Sequence, residues 1–357
     1  MSARSPLALM LAGGTGGHVY PALAVALELR ARGYRLGWVG TARGLESKLV
    51  PAAGITLHCL PMRGLRGKGL LQQLVAVTLL VVSVIRSLAL LLRLRPAIVV
   101  GMGGYASFPA ALAAWILRRP LLLQEQNAVP GSANRVLARF ADCIATGFPG
   151  VFGHYPQARY LGNPLRSELL AVADARAWTP PDALRVLVLG GSLGARPLNE
   201  QIPRTAARLG TRCEWLHQCG REHEEATRDA YAALSDVSWQ VQPFVVDMAA
   251  AYQWADLVIC RAGALTIAEL AATGRPAILV PLPHAIDDHQ SANARFLADA
   301  EGALLLPQGQ LVDSLDAIIG ELLAAPERLH AMAQQTRALG RPRATADIAD
   351  RCEELCL

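Results

Sequence analysis

Short apolar runs that stop at glycine recur along the chain, and they recur in the same order twice. "LALMLAGGTGG" (Leu7 to Gly17) is echoed by "LRVLVLGGSLGA" (Leu184 to Ala195). Each predicts a strand buried on both faces, a glycine turn and the start of a helix. Further on, "AIVVGMGGYASFPAALAAWILRRPLLLQEQN" is matched by "DLVICRAGALTIAELAATGRPAILVPLPH". Both read strand, glycine loop, Ala-rich helix, Arg-Pro, strand. Agreement in order and punctuation predicts two copies of a doubly wound α/β unit with parallel sheets.

The boundary between the copies is expected at "YLGNPLRSELL", where Gly162, Asn163 and Pro164 interrupt regular structure. This gives a first domain over 1–163 and a second over 164–340, with a hinge near Asn163 to Leu165. The closing "ATADIADRCEELCL" predicts a helix, and the segment 341–357 is expected to pack back on the first domain. The N-terminal apolar run imitates a signal peptide only weakly. It passes straight into the glycine loop and reads as a first strand.

One segment breaks the alternation. "GLLQQLVAVTLLVVSVI" (Gly69 to Ile85) carries no charge and is a little short of the ~20 residues of a spanning helix. Gln72, Ser83, Arg86 and Arg93 fall on one arc of the helical wheel, shared with Val75, Leu79 and Leu90, and make a thin polar stripe. A helix buried in the first domain and a helix facing a membrane surface both fit, whereas a true transmembrane span is disfavoured by its place inside an α/β domain. The second reading draws on "RGLRGKG" just upstream, where Arg63, Arg66 and Lys68 could meet anionic headgroups.

Composition narrows the classes. The chain has 357 residues, long enough for two cores, and is 52% hydrophobic but only 5% aromatic, as in Ala/Leu/Val-rich parallel-sheet proteins. A net charge of +5 suits an anionic ligand or membrane surface. No basic run is interleaved with aromatics, so nucleic acid is not an expected partner. The seven cysteines are scattered without a Cys-x-x-Cys pair, which indicates neither zinc nor a disulfide framework and fits a reducing cytoplasm.

The loops carry the candidate chemistry. "GGTGGH" lacks the Gly-Lys-Ser/Thr ending of a phosphate-binding Walker loop. It also lacks the third glycine of a dinucleotide fingerprint, because Val19 stands there, and the strand "YRLGWVG" ends without a ribose-binding carboxylate. What remains is a loop opening on a helix N-terminus, expected to begin near Pro21, with His18 at its mouth. The positive helix end favours a neutral imidazole able to accept a proton. A structural histidine satisfied by backbone carbonyls is the competing reading. In "CRAGALTIAEL", Gly263 to Thr266 predict a turn and helix start suited to a diphosphate, and Glu269 sits where a carboxylate can accept ribose hydroxyls. A plain surface glutamate is the alternative there. Ser192 is a further phosphate donor, and Gln290 lies in a polar run able to hold sugar hydroxyls. No Asp-x-Asp pair offers ligands for a metal-bridged donor.

Taken together, "GGTGGHVYPALAVA", "GLRGKG", "GMGGYASFPAALAA", "EQNAVPGSANR", "GNPLR", "GGSLGARPLN", "CRAGALTIAEL" and "HQSANA" resemble glycosyltransferase family 28, in the branch of peptidoglycan N-acetylglucosaminyltransferases. The resemblance runs in order over nearly the whole chain. It implies a GT-B fold, two Rossmann-like domains facing across a cleft, with donor in the C-terminal domain and acceptor and membrane on the N-terminal one. It implies transfer of N-acetylglucosamine from UDP-N-acetylglucosamine to the C4 hydroxyl of the muramoyl sugar of undecaprenyl-diphosphate-N-acetylmuramoyl-pentapeptide (lipid I), with inversion. The setting implied is the cytoplasmic face of the inner membrane, without a cofactor or metal and alongside other cell-wall synthesis proteins.

By position, the resemblance assigns Thr15, Gly16, Gly17, Asn127 and Arg166 to the sugar nucleotide, Ser192 to the diphosphate and the Val245 backbone to the uracil. Ala264, Leu265, Thr266, Ile267, Ala268 and Glu269 would wrap phosphate and ribose, Gln290 would hold the sugar, and His18 would be the general base. Gly103, Gly104, Tyr105 and Glu125, with Arg63, Arg66 and Lys68, are candidates for the acceptor or membrane side. Two departures stand out. Gln124 occupies a position where family members often carry histidine, and Leu193 one where glutamine is frequent. The rival readings are a UDP-N-acetylglucosamine epimerase of similar fold and a sugar-nucleotide-binding scaffold without catalysis.

Overall fold

The computed structural model describes residues 5–61, 70–174, 182–191, 193–283 and 285–357. Arg63, Arg66, Lys68 and Ser192 lie outside the described residues. The chain divides into two compact units, one of Met1–Arg166 with Pro342–Leu357 and one of Ser167–Arg341.

The first unit is built on a seven-stranded parallel sheet in the order β3-β2-β1-β4-β5-β6-β7. The strands are β1 (Leu7–Leu11), β2 (Arg35–Gly40), β3 (Thr56–Cys59), β4 (Ile98–Gly101), β5 (Leu121–Glu125), β6 (Cys143–Thr146) and β7 (Ala158–Tyr160). All five residues of β1 are buried, as expected of a strand covered by helices on both faces. The helix Ala344–Glu354 belongs to this unit. Its Ile348, Ala349 and Cys352 join Val25, Ala26 and Leu29 of the helix Gly16–Ala31 in one core. Arg32 fastens the same contact, reaching Asp350 at 2.6 Å and Glu353 at 2.8 Å.

The second unit repeats the plan with six parallel strands in the order β10-β9-β8-β11-β12-β13. They are β8 (Leu184–Leu189), β9 (Cys213–Gln218), β10 (Ser238–Gln242), β11 (Leu257–Cys260), β12 (Ala277–Leu279) and β13 (Ala303–Leu305). Its core includes Val186, Val188, Trp215, Ile259 and Ile278. A polar knot interrupts it. Buried His217 meets Asn199 Oδ1 at 3.0 Å through Nε2 and the Tyr231 hydroxyl at 3.2 Å through Nδ1. Burial lowers its pKa from 6.5 to about 3, so the ring is neutral.

In both sheets the strand order reverses beside the first strand, at β1/β4 and at β8/β11. Such switch points open crevices at the carboxyl ends of the strands, where ligands bind in doubly wound folds. The glycine loops stand there in each unit.

The apolar segment forms the helix Leu70–Leu94. Its orientation differs from the expected polar stripe. Ser83 and Ser87 are buried, Ser83 Oγ donating to the Pro61 carbonyl at 3.2 Å and Ser87 Oγ to the Ser83 carbonyl at 2.7 Å. Val77, Val81, Ile85 and Leu92 are exposed, together with Arg86 and Arg93. The small hydroxyls find carbonyl partners inside, so the larger apolar side chains are left outward.

Candidate active site

The first unit brings two glycine loops against one histidine. The helix after β1 begins at Gly16, not at Pro21, so His18 lies in its first turn. Thr15 is the N-cap, and its carbonyl receives the His18 and Val19 N–H groups, each at 3.2 Å. Pro21 is inside the helix and has no N–H for the Gly17 carbonyl. Thr15 and Gly17 are exposed, while Gly16 and His18 are half-buried.

The loop after β4 covers the imidazole. Gly103 and Gly104 have φ of +85° and +81°, backbone that L side chains rarely adopt. A Cβ on Gly103 would lie 3.1 Å from His18 Cε1 and Nδ1, and one on Gly104 would lie 2.8 Å from the Gly13 carbonyl oxygen. Only bare backbone lets the loops approach this closely. Tyr105, next in sequence, is 45% exposed.

Behind the histidine stands a set of buried amides. Gln126 Oε1 lies 3.1 Å from His18 Nδ1, and Gln126 Nε2 donates to the Met102 carbonyl at 2.8 Å and to Gln124 Oε1. Gln124, fully buried, donates to Asn163 Oδ1 at 2.9 Å. Asn163 is buried in the first unit, and the division between the units falls after Arg166.

Glu125 is 2% exposed, and both its oxygens serve its own loop. Oε1 accepts the Asn127 N–H at 3.0 Å, while Oε2 accepts the Gly131 N–H at 3.0 Å and Asn134 Nδ2 at 2.9 Å. Asn127 is thereby positioned half-buried at the head of that loop. Arg166 lies with its guanidinium 5.9 Å from the Tyr20 ring centroid, a cation–π distance.

In the second unit, Gly263 caps the helix Ala264–Thr273 from an extended conformation. The first-turn N–H groups at Ala264, Leu265 and Thr266 form the positive end of that helix, and Ile267, Ala268 and Glu269 follow in its next turn. Glu269 accepts the Tyr252 hydroxyl at 2.9 Å, and Tyr252 is fully buried, so the carboxylate is aimed by a rigid partner. The helix His289–Ala298 is tied to the same loop, because buried Asn293 donates to the Ala262 carbonyl at 3.2 Å. Its Gln290 accepts the Leu282 N–H at 2.9 Å through Oε1, which leaves the NH2 end facing away. Val245 is buried beyond β10, between exposed Phe244 and Val246. In the loop after β8, Leu193 is 83% exposed, and the Gly191 N–H donates to Gln218 Oε1 at 3.1 Å.

Three site residues escaped the sequence reading. Glu46 is fully buried beneath the first glycine loop and accepts the Gly14 N–H at 2.9 Å, the Thr41 N–H at 2.8 Å and the Thr41 hydroxyl at 2.7 Å. Gln126 is the neighbour of His18 described above. Arg261 precedes the second glycine turn and donates to the Val280 and Pro281 carbonyls and to Gln308 Oε1. Burial lowers its pKa, yet a guanidinium keeps its charge at neutral pH, and among the described residues no carboxylate pairs with it beside the helix start.

Comparisons with known proteins agree along the chain. Residues 8–146 match the glycosyltransferase family 28 N-terminal domain and residues 185–351 the family 28 C-terminal domain. The chain is 49% identical over 350 residues to the UDP-N-acetylglucosamine–N-acetylmuramyl-(pentapeptide) pyrophosphoryl-undecaprenol N-acetylglucosamine transferase of Pseudomonas fluorescens, covering 97% of this chain and 98% of that one. It is equally 49% identical, over 352 residues and the same shares, to the protein of that name from Azotobacter vinelandii. Among solved structures, Acinetobacter baumannii MurG superposes with a TM-score of 0.83 at 36% identity, covering 98% of this chain and 99% of the other. The UDP-GlcNAc 2-epimerase of Neisseria meningitidis shares the fold, with a TM-score of 0.68 at 13% identity over 98% of this chain and 99% of the other.

Proposed function

The chain belongs to glycosyltransferase family 28, and we infer from that premise how it works as an inverting transferase. It moves N-acetylglucosamine from UDP-N-acetylglucosamine to the C4 hydroxyl of the muramoyl sugar of undecaprenyl-diphosphate-N-acetylmuramoyl-pentapeptide. The product is the disaccharide lipid from which peptidoglycan is built. The end-to-end likeness to transferases of that name carries this reading.

The donor is α-linked and the product β-1,4-linked, so one in-line displacement suffices. The acceptor oxygen bonds to C1 as the bond from C1 to the β-phosphate oxygen breaks. The hydroxyl proton goes to His18, and UDP departs with the bonding pair. A positioned base of this kind contributes about 10²–10⁴-fold. Charge gathering on the diphosphate is met by the helix start at Ala264–Thr266, by Ser192 and Arg166, and by the charge of Arg261. These groups are the chain's own, and the assignment needs no cofactor or metal. The resemblance gives Glu269 the ribose, Gln290 the sugar hydroxyls and the Val245 backbone the uracil, and it assigns Thr15, Gly16, Gly17 and Asn127 to the sugar nucleotide. Gly103, Gly104 and Tyr105 frame the acceptor hydroxyl beside His18, and Glu125 holds Asn127 in place.

Membrane docking falls to the outward face of the helix Leu70–Leu94. The stretch Val77–Leu94 has a mean hydropathy of 2.1 and is 17% buried. The neighbouring helix Phe108–Ile116 adds exposed Trp115 and Ile116. The opposite face packs Ser83, Ser87 and Leu91 into the unit, and β4 follows at once, so the helix lies on an anionic leaflet rather than crossing it. Arg86, Arg93, Arg63, Arg66 and Lys68 supply the cations. In this reading the enzyme is peripheral on the cytoplasmic face of the inner membrane and works alongside other cell-wall synthesis proteins, as the family resemblance implies.

The test is product analysis with UDP-N-acetylglucosamine and a short-chain lipid I analogue, with EDTA present. The expected result is acceptor-dependent UDP release matched by a β-1,4 disaccharide lipid, abolished in His18→Ala while UDP-N-acetylglucosamine still binds. Acceptor-independent formation of the 2-epimer would favour the epimerase. Donor binding without transfer would favour the scaffold, and full turnover by His18→Ala would remove that residue from the base role.

A further inference from the structure

Gln126 is 1% exposed and directly follows β5. Which end of its carboxamide faces His18 is decided by groups that can only accept. The Met102 carbonyl, 2.8 Å away, has no hydrogen to give. The NH2 of Gln126 must therefore point to Met102 and its oxygen to His18 Nδ1. The amides behind it have the same polarity for the same reason. Asn163 Nδ2 donates to the Gln126 backbone carbonyl at 2.9 Å, which turns Asn163 Oδ1 toward the Gln124 NH2 at 2.9 Å. The Gln124 oxygen must then face the Gln126 NH2, as it does. Two backbone carbonyls thus orient three buried amides.

An oxygen 3.1 Å from Nδ1 requires the hydrogen of a neutral imidazole to be on Nδ1. Nε2, across the ring, then keeps its lone pair. We propose that Gln126 is the positioning residue that locks neutral His18 in the Nδ1–H tautomer and so makes Nε2 the atom that accepts the acceptor hydroxyl's proton. This rests on His18 being the general base. The amide carries no charge, so it directs the proton without the electrostatic stabilisation of imidazolium that a carboxylate would bring. The glycine at 103 contributes by leaving the Nδ1 edge uncrowded, since a Cβ there would come within 3.1 Å. Gln124 acts one step further back, through Gln126 and not on the substrate.

The tautomer can be read without any variant of the relay. Protein labelled with 15N in its histidine rings is examined by long-range 1H–15N correlation above the pH where imidazoles titrate, and the His18 resonances are identified by their loss in His18→Ala. The expected result is a single Nδ1–H tautomer at His18. An Nε2–H tautomer in the wild-type protein overturns the proposal. In Gln126→Met, of similar length but without acceptor or donor, the Nε2–H form should appear and kcat should fall about 10²-fold. The Kd for UDP-N-acetylglucosamine should stay as it was. A Gln126→Met protein that keeps both the Nδ1–H signature and wild-type kcat also overturns it. Retained turnover in His18→Ala would instead defeat the base assignment while leaving the measured tautomer intact, so the two failures are separable.

Discussion

Glu46 Oε2 accepts the Gly14 N–H at 2.9 Å, and this bond joins a fully buried carboxylate to the loop that delivers His18. The other oxygen takes the Thr41 N–H and hydroxyl, so one side chain satisfies three donors that face away from water. Glu46→Ala should therefore cost about 2–3 kcal/mol in stability and lower kcat, because the loop loses its floor. Calorimetry and steady-state kinetics check both effects, and a variant with unchanged Tm and kcat would refute the role.

Gly104 lies close against the Gly13 carbonyl. Gly104→Ala adds a Cβ 2.8 Å from that oxygen in a backbone with φ of +81°. The β1 and β4 loops must part, and with them the seat of His18. We expect kcat to fall by at least ~10-fold, in proportion to the lost base contribution, with donor affinity unchanged in equilibrium titration. Wild-type kinetics would show that the loops tolerate separation.

The duplicated architecture was legible because buried parallel strands leave long apolar runs and their loops leave glycines, both local signals. The polar residues that organise the site were not. Glu46 and Gly14 are 32 positions apart and Gln126 and His18 are 108 apart, so no window of sequence contains either pair. The helix start was misread as well. Glycines at 16 and 17 are poor helix formers and Pro21 is a common first-turn residue, yet the Thr15 carbonyl takes the His18 and Val19 N–H groups and the helix starts at Gly16. Ser83 looked like part of a solvent stripe because its partner, the Pro61 carbonyl, is 22 residues away.

The donor half depends on a second long-range bond. Tyr252 holds Glu269 at 2.9 Å, so Tyr252→Phe should loosen the carboxylate without emptying its place. A hydrogen bond to a charged group is worth about 1.5–3 kcal/mol, and losing part of that in positioning predicts a several-fold weaker Kd for UDP-N-acetylglucosamine in Tyr252→Phe and a larger loss in Glu269→Ala. Isothermal titration measures both. Equal affinity in all three proteins would take Glu269 out of the donor site.

Docking through the exposed helix face has its own test. Ile85 is 60% exposed and Val81 is 53% exposed, so charging them should not disturb the core. Val81→Asp with Ile85→Asp should reduce flotation with anionic vesicles and raise KM for a long-chain lipid acceptor, leaving a water-soluble short-chain acceptor unaffected. Undiminished flotation would assign the membrane contact elsewhere.

The buried imidazole of the second unit makes stability depend on pH. Asn199 Nδ2 donates to the Cys219 carbonyl at 2.9 Å, so Asn199 Oδ1 faces His217 Nε2 and that nitrogen must carry the hydrogen. Nδ1 is then left to accept from the Tyr231 hydroxyl. Burial penalises the charged ring, which is why the pKa falls from 6.5 to about 3. The unfolded chain binds this proton near the ordinary value and the folded chain does not. Stability from His217 is therefore complete above pH 6.5 and is lost progressively as the pH falls toward 3, at up to about 1.4 kcal/mol per pH unit. In His217→Gln that slope should disappear, although the variant starts from lower stability at pH 7.5. Urea midpoints measured between pH 7.5 and 4 distinguish the two, and parallel curves for wild type and variant would mean that another group governs the acid limb.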